Sequence, residues 1–218
     1  MTDFTVARRN MVDCQLRPNE VADLNLVAAI LDVPRERFVP LNLQGVAYID
    51  EDLALGNGRY VMEPMVFGRL MQLAEIKPDD VVLVIGCGTG YSAAVLGRLA
   101  GTVVALESDP TLAETATALL AELGCDNVAV VGGPLEAGCP TQAPFDVIFI
   151  DGAVAAVPAA ITDQLKEDGR LVTVLAGTGR VGHGVVMIRC GDFVGQRTVF
   201  DAATPLLPDF APKEEFVF

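Results

Sequence analysis

Three closely spaced glycines, Gly86, Gly88 and Gly90, follow the apolar run Val81–Ile85. Glycine at the end of a buried strand lets the backbone turn tightly and lets a ligand approach without a Cβ in the way. Glu107 follows 21 positions after Gly86, at the end of the next apolar run. Because a carboxylate at that place can accept hydrogen bonds from both hydroxyl groups of a ribose, the spacing predicts a nucleoside-binding site.

The spacing of the glycines separates two classes of ligand. A dinucleotide site uses G-x-G-x-x-G, in which the last glycine permits close helix packing and the pyrophosphate lies on the helix N-terminus. Here the third glycine comes one place early, and Tyr91 stands where that motif has its glycine. G-x-G-x-G followed by an aromatic residue is typical of S-adenosylmethionine sites. The remaining alternative is a turn without a ligand, but the strand, loop, helix and acid agree in spacing, which favours S-adenosylmethionine.

Strand and helix patterns alternate around the glycine loop. Apolar runs predict strands at 81–85, 103–106, 128–131, 145–150, 170–175, 184–189 and 197–200, and helical patterns lie at 91–99, 110–123 and 158–165. This alternation predicts an α/β fold with a doubly wound, mostly parallel seven-stranded Rossmann-like sheet. We expect one domain, in which residues 1–78 form a helical N-terminal extension with a loop region and residues 79–218 form the cofactor-binding sheet.

Composition argues against several classes of partner. The chain has 218 residues, with 15 basic against 29 acidic side chains and a formal net charge of −14. Proteins that bind nucleic acid neutralise phosphates with Lys and Arg, so we expect no nucleic-acid partner. No stretch has the length and purity of a membrane span, and the N-terminus is too polar for a secretory signal. We therefore expect a cytoplasmic protein without a membrane partner, and we assign no oligomeric state.

The metal-binding residue types are sparse. The five cysteines are scattered without paired metal-ligand spacing, and His183 is the only histidine. These features predict reduced thiols and no metal site. Cys87 lies inside the glycine loop, but no base is near it in sequence, so a packing role is favoured over a nucleophilic one.

A second set of motifs lies outside the glycine loop. The N-terminal half contains Val-Pro-Arg-Glu-Arg-Phe-Val-Pro at 33–40, preceded by Gln-Leu-Arg at 15–17 and followed by Gly56, Gly58 and Pro64. The order of these motifs resembles the protein-L-isoaspartate O-methyltransferase family, and the run at 33–40 is that family's own pattern. The resemblance continues through Ala47-Tyr48, Asp50, Leu53, Tyr91 to Leu96, Asn127-Val128, Pro144 to Asp146, Val157-Pro158, Gln164 to Lys166 and Gly169 to Val172.

The resemblance implies an S-adenosylmethionine-dependent methyltransferase. Such an enzyme transfers a methyl group to the α-carboxylate of an L-isoaspartyl residue in a damaged protein, so its partners are proteins or peptides that carry isoaspartate. A carboxylate with a pKa near ~4 is ionised at neutral pH and needs no general base, so alignment is the main demand. The implied cofactor-binding residues are Ile85, Gly86, Cys87, Gly88, Gly90, Tyr91, Glu107, Ser108, Gly133, Pro134 and Asp151.

The predicted substrate loop departs from the family pattern. The family reads close to G-x-G-Q-T-I-S-Q-P, whereas residues 56–64 here read GNGRYVMEP. Met62 stands where the family has its active-site serine, and methionine cannot donate a hydrogen bond to a carboxylate. Tyr60, or Arg59 as a charged fork, is the candidate to anchor the acceptor instead. The candidate substrate-binding residues are Asn57, Arg59, Tyr60, Val61 and Met62, and no catalytic residue is assigned.

Other departures also lie in ligand-facing loops. Val84 replaces an acid two places before the first glycine, Gly133 replaces the aspartate of a Gly-Asp-Gly, and Asp151 begins a segment that replaces Thr-Ala-Ala. Because the packing positions match, two alternatives to isoaspartyl methylation stay open. They are a methyltransferase with another acceptor and an S-adenosylmethionine-binding protein without transferase activity.

Two further expectations concern packing. Arg35 and Arg37 are predicted to be solvated charges at helix ends. The apolar C-terminal residues Phe210 and 216–218 are predicted to dock on the core.

Overall fold

The computed structural model describes residues 3–177 and 181–211, and nine strands lie within them. In chain order they are β1 (Leu53–Gly56), β2 (Arg59–Val61), β3 (Val81–Ile85), β4 (Thr102–Glu107), β5 (Val128–Gly132), β6 (Phe145–Val154), β7 (Leu165–Leu175), β8 (Gly182–Cys190) and β9 (Phe193–Ala202). The first two strands form a separate antiparallel hairpin, and the other seven form one sheet.

The seven-stranded sheet has the order β5-β4-β3-β6-β7-β8-β9. Strands β3 to β7 pair in parallel, whereas β8 and β9 are antiparallel to their neighbours. The chain runs outward from β3 to β5 and then returns to pair β6 with the other side of β3. Ligands of such sheets bind beyond the carboxyl ends of the strands at this switch point. The predicted mostly parallel seven-stranded sheet is confirmed.

The α-helices of the described residues are α1 (Phe4–Met11), α2 (Leu24–Asp32), α3 (Pro64–Ala74), α4 (Tyr91–Gly97), α5 (Pro110–Glu122) and α6 (Ala159–Thr162). A π-helical turn, Val12–Leu16, continues α1, and the predicted helical N-terminal segment is confirmed. The helix predicted at 158–165 is shorter than expected. The N–H of Phe145 donates to the carbonyl of Gln164 at 2.8 Å, so the chain joins the sheet there, and residues 166–169 lie within β7.

A chain of aromatic side chains connects the N-terminal segment to the sheet. The ring of Tyr91 lies 5.7 Å from the ring of Phe38 and 5.4 Å from that of Phe67, and Phe67 lies 6.0 Å from Phe149. All four side chains are buried. Aromatic pairs at such distances contribute more than their buried area alone. The contacts therefore hold the start of α4, which follows the glycine loop, between α3 and β6.

The prediction of solvated arginines is wrong for Arg35, which is 0% exposed. Its Nε donates to the carbonyl of Ala47 and its Nη2 to the carbonyl of Met62, both at 2.8 Å, and its guanidinium lies 4.9 Å from the centre of the Tyr91 ring. A planar guanidinium can satisfy separate carbonyls and stack on an aromatic face at once. The arginine of the 33–40 run therefore fixes the backbone of the predicted substrate loop.

The chain after β9 returns to the carboxyl end of β6. The N–H of Ala153 donates to the carbonyl of Pro205 at 3.0 Å, and the N–H of Leu207 donates to the carbonyl of Ala153 at 2.8 Å. Phe210 is buried, as expected, whereas residues 216–218 lie outside the described residues. The segment 203–211 therefore lies at the same edge of the sheet as the glycine loop.

Phe67→Ala is expected to lower the free energy of unfolding by ~3–5 kcal/mol, because the substitution leaves a cavity between Tyr91 and Phe149. The matched control is Phe193→Ala, since Phe193 is 80% exposed. That variant is expected to stay within about 0.5 kcal/mol of the unsubstituted protein. Urea unfolding followed by circular dichroism measures both values, and equal losses would contradict the proposed role of the aromatic chain.

Candidate functional site

The glycine loop follows β3 in a conformation that L side chains rarely adopt. The φ angles of Gly86, Gly88 and Gly90 are 80°, 56° and 97°. The N–H of Gly86 donates to the carbonyl of Leu106 at 2.8 Å, which holds the loop against the end of β4. At Gly90, an added Cβ would lie 3.2 Å from the Cβ of Ala116 in α5. The loop is thus confined between β4 and α5, beyond the carboxyl ends of the central strands.

Glu107 ends β4 beside this loop, and its side chain is fully buried. Its Oε1 accepts the N–H groups of Ser108 at 2.8 Å and Asp109 at 3.0 Å. Its Oε2 accepts the N–H of Gly88 at 2.7 Å and Nη2 of Arg59 at 2.6 Å. A carboxylate offers about four lone-pair sites, so residues of this chain occupy the full hydrogen-bonding capacity of Glu107.

The structure places Arg59 on Glu107, which the sequence did not predict. Arg59 begins β2 and points inward, with a side chain that is 5% exposed. The predicted ribose-binding carboxylate and a predicted substrate-binding residue therefore form one buried ion pair. In this conformation the oxygens that a ribose would use are engaged by Arg59 and by backbone N–H groups.

The side chains of Leu55, Arg59 and Leu207 lie over the glycine loop, and we call these three side chains the cover. A Cβ added at Gly88 would lie 2.9 Å from Cδ1 of Leu55, and one added at Gly86 would lie 3.4 Å from Cδ1 of Leu207 and 3.0 Å from Nη2 of Arg59. The space that the glycines leave free is therefore filled by the β1–β2 hairpin and by segment 203–211. Sequence analysis missed both leucines, and only the proline-flanked Leu206-Leu207 pair gives a weak local signal.

A small cleft lies beside the cover, and its enclosed volume is about 10 Å³. That is room for about one water molecule, so the cleft is too small for a nucleoside in this conformation. It brings together three predicted site residues, Tyr60, Met62 and Asp151. The full lining is Asp52, Gly58, Tyr60, Met62, Asp151, Gly152, Thr204, Pro205 and Leu207.

Asp52 joins the parts of the cleft wall, a role that sequence analysis missed. Its Oδ1 accepts the N–H of Glu63 and the hydroxyl of Thr204, both at 2.9 Å. The first contact holds the loop before α3, and the second holds segment 203–211. Desolvation by burial raises the pKa of Asp52, although both hydrogen bonds oppose that rise.

Asp151 is the second carboxyl group of the cleft. Its Oδ1 is buried and has no hydrogen-bond partner among the described residues. Burial raises the pKa of Asp151 to about 7, and the charge of Glu107 adds to that rise, whereas the nearby Ser92 hydroxyl and the charges of Arg59 and Arg35 oppose it. Near neutral pH this carboxyl group therefore exists in both protonation states, and the protonated form can donate a hydrogen bond.

The other predicted site residues lie around this centre. Met62 and Val61 are buried, whereas Tyr60 is 37% exposed. Asn57 is exposed and its amide donates to Asp109 at 3.0 Å, at the outer end of the hairpin. The N–H of Gly133 donates to the carbonyl of Glu107 at 3.1 Å, which places Gly133 and Pro134 directly after β5 on the other side of Glu107.

Ile85 and Cys87 complete the predicted set. Ile85 is fully buried at the end of β3, and Cys87 is 3% exposed. Burial and the charges of Glu107 and Asp151 raise the pKa of the Cys87 thiol, so the thiolate is disfavoured. This agrees with the predicted packing role. Among residues 3–177 and 181–211, no three His, Cys, Asp or Glu side chains are grouped to hold a metal ion.

Comparisons with known proteins identify the family. The model of the protein-L-isoaspartate (D-aspartate) O-methyltransferase family matches residues 7–181. A protein-L-isoaspartate O-methyltransferase of Koribacter versatilis is 40% identical over 201 residues, which cover 92% of this chain and 90% of the relative. One of Methylorubrum extorquens is 40% identical over 177 residues, which cover 81% of this chain and 77% of the relative.

Solved structures agree with this match. A protein-L-isoaspartate O-methyltransferase superimposes with a TM-score of 0.79 at 26% identity over 92% of this chain and 65% of its own. A Plasmodium falciparum structure, described as a protein-L-isoaspartate O-methyltransferase in complex with S-adenosyl-L-homocysteine, has a TM-score of 0.78 at 16% identity. It covers 96% of this chain and all of its own, and it supports the fold. The chain belongs to the protein-L-isoaspartate O-methyltransferase family.

Proposed function

We propose that this protein transfers the methyl group of S-adenosylmethionine to the carboxylate of L-isoaspartyl residues in damaged proteins. The observation that carries this proposal is the family match over residues 7–181, because it includes both the substrate loop and the glycine loop. The 40% identity to an isoaspartyl methyltransferase over 92% of the chain supports the same activity.

The residue types at the glycine loop and at Glu107 fit the adenosyl part of the cofactor. Gly86, Gly88 and Gly90 leave a surface without Cβ atoms, and Glu107 supplies a carboxylate for a ribose hydroxyl. Use of that carboxylate requires Arg59 to leave it, since the oxygens are fully engaged in this conformation. When bound, the cofactor supplies a sulfonium methyl group that a nucleophile can attack.

The protein's task toward the acceptor is alignment. An isoaspartyl carboxylate is already ionised at neutral pH, so the site must orient one of its oxygens and exclude water. Met62 offers no hydrogen-bond donor at the serine position. Tyr60, whose hydroxyl group can donate, lines the same cleft.

A methyltransferase with another acceptor is the second candidate function. The observation that favours it is the presence of two carboxyl groups, Asp52 and Asp151, in the cleft. Ionised carboxylates repel a carboxylate acceptor and favour a neutral or cationic one. For the isoaspartyl reaction, at least one of these charges has to be neutralised.

The location and partners of the protein extend this proposal. We propose a cytoplasmic protein that acts on proteins or peptides and not on nucleic acid. The five cysteines are free in the structure, as is usual in reducing compartments, and the formal net charge of −14 disfavours phosphate backbones. Within the described residues, no helix has the length and apolar character that a membrane crossing requires.

Incubation with labelled S-adenosylmethionine tests the activity directly. An isoaspartyl peptide is expected to acquire base-labile label, whereas the matching aspartyl peptide is not. Calorimetry with S-adenosylmethionine alone tests the cofactor separately. Label that does not exceed the aspartyl control would remove the isoaspartyl assignment. Absence of both binding heat and a thermal shift with S-adenosylmethionine would exclude methylation of isoaspartate and of any other acceptor.

Met62→Ser is expected to raise kcat/KM for the isoaspartyl peptide by roughly 10-fold or more, because a hydroxyl donor to a charged acceptor becomes available. Met62→Ala is the matched control, since it removes the same buried side chain without adding a donor. Both rates should be measured well below the unfolding temperature of the variants. Equal kcat/KM values for the serine and alanine variants would show that the side chain at position 62 makes no hydrogen bond to the acceptor.

Asp151→Asn is expected to change how stability depends on pH. The pKa of Asp151 is about 7 in the folded protein against a reference of 3.8, so the folded state retains a proton that the unfolded state loses. This contribution is complete below about pH 4 and is lost as the pH rises to about 7.

The asparagine variant lacks this loss. The free energy of unfolding of Asp151→Asn minus that of the unsubstituted protein should increase between pH 4 and 7. At pH 8 this difference should exceed its value at pH 5 by about 2–4 kcal/mol. Urea unfolding at pH 5 and pH 8 measures the difference. Burial also raises the pKa of Glu63 to about 7, but this contribution is the same in both proteins and cancels. The exposed Asp192→Asn serves as control, and a constant difference across this range would contradict a buried, protonated Asp151.

A further inference from the structure

The charge of Arg59 acts on two buried carboxyl groups, Glu107 and Asp151. Nη2 of Arg59 is 2.6 Å from Oε2 of Glu107, the predicted ribose acceptor. Its positive charge also acts on Asp151, which lines the small cleft. Both members of the ion pair are almost completely buried, with 5% and 0% of their side chains exposed. A buried guanidinium without a partner is costly, so Arg59 can leave Glu107 only if another anion receives it.

Cofactor and Arg59 compete for the same atoms. Three of the four positions on the Glu107 carboxylate are taken by backbone N–H groups that belong to the glycine loop and the turn after β4. These donors are fixed by the main chain. Arg59 is the one donor to Glu107 that a side-chain rotation can remove, so a ribose hydroxyl gains access to this carboxylate by replacing Arg59.

Two clefts lie beside Arg59. Arg59 itself lines one of them, with Asn57 and Asp109, and the other is the small cleft, which contains the position of the family's serine at Met62. Gly58 and Tyr60, the neighbours of Arg59 on the hairpin, both line the small cleft together with Met62. The cleft otherwise presents the carboxyl groups of Asp52 and Asp151, which repel an acceptor carboxylate. Arg35 is the other buried arginine near Met62. The carbonyls of Ala47 and Met62 and the Tyr91 ring hold it in place, so Arg59 is the arginine that is expected to move.

On the basis of the proposed function, we infer that Arg59 exchanges carboxylate partners: it holds Glu107 in the absence of cofactor, and it binds the acceptor carboxylate after the ribose has replaced it. A guanidinium fork can bind both oxygens of a carboxylate, which suits the orientation that methyl transfer requires. Arg59 then supplies the anion recognition that Met62 cannot, and the acceptor offsets the cost of the broken ion pair. Binding of cofactor and acceptor is therefore coupled, and by linkage each strengthens the other.

Calorimetry on Arg59→Gln separates the two roles without a need for turnover. The probes are S-adenosylhomocysteine added to the free protein, and an isoaspartyl peptide added to the protein saturated with S-adenosylhomocysteine. Loss of the competing charge is expected to tighten S-adenosylhomocysteine binding by about 10-fold, and loss of the fork is expected to weaken peptide binding by about 10-fold or more. A residue that only supports the fold would not shift the two affinities in opposite directions.

Two further variants control for folding and for charge. Arg59→Lys keeps the charge and loses the fork, so it should retain competition for Glu107 and still bind the peptide more weakly than the unsubstituted protein. Arg37→Gln removes an arginine that forms an exposed ion pair with Glu122, away from the cleft, and should change neither affinity. If Arg59→Gln does not fold, the lysine variant still tests the inference through its peptide affinity.

The outcomes that would overturn the inference are distinct. Unchanged or weaker binding of S-adenosylhomocysteine to Arg59→Gln would show that Arg59 does not compete with the ribose. Unchanged peptide affinity in both variants would show that Arg59 does not bind the acceptor. Failure of the unsubstituted protein to methylate isoaspartyl peptide would instead defeat the proposed function, while the S-adenosylhomocysteine result would still decide the competition at Glu107.

Discussion

The buried ion pair between Arg59 and Glu107 is the contact on which the arrangement of the site depends. It joins the β1–β2 hairpin of the N-terminal part to the end of β4 at the switch point of the sheet. Through the N–H of Gly88, the same carboxylate also holds the glycine loop. One buried carboxylate thus connects the predicted substrate loop with the predicted cofactor loop, and any ligand of Glu107 alters both.

The departures from the family pattern form a connected group when they are placed in the structure. Met62 removes a donor from the cleft, Asp151 adds an acid to it, and Arg59 adds a cation that pairs with Glu107 and whose charge also acts on Asp151. The backbone that carries these residues is held independently by Arg35 and by the aromatic contacts of Tyr91. Because these contacts do not involve the side chains of Met62 and Asp151, those two positions can differ from the family pattern while the fold is retained.

Local patterns in the sequence predicted the sheet, the glycine loop and the position of Glu107, because apolar periodicity and glycine spacing report on residues that are neighbours along the chain. They did not predict the partner of Glu107, which lies 48 positions away in the hairpin. The contact of Leu207 with Gly86 spans a still longer separation. Arg35 was wrongly expected in solvent, because a buried arginine depends on carbonyls and a ring that only the tertiary structure brings to it.

A charged contact suits a residue that must yield its place to a ligand. Glu107 keeps three backbone donors whichever group takes its fourth position, so exchange of Arg59 for a ribose hydroxyl leaves the carboxylate fully hydrogen-bonded. The cost of exchange then falls on the guanidinium, which cannot stay buried without an anion. An acceptor carboxylate in the cleft offsets that cost. The family pattern has an uncharged glutamine at position 59. Such a glutamine would not couple cofactor and acceptor binding in this way, because an amide that leaves Glu107 leaves no charge unpaired.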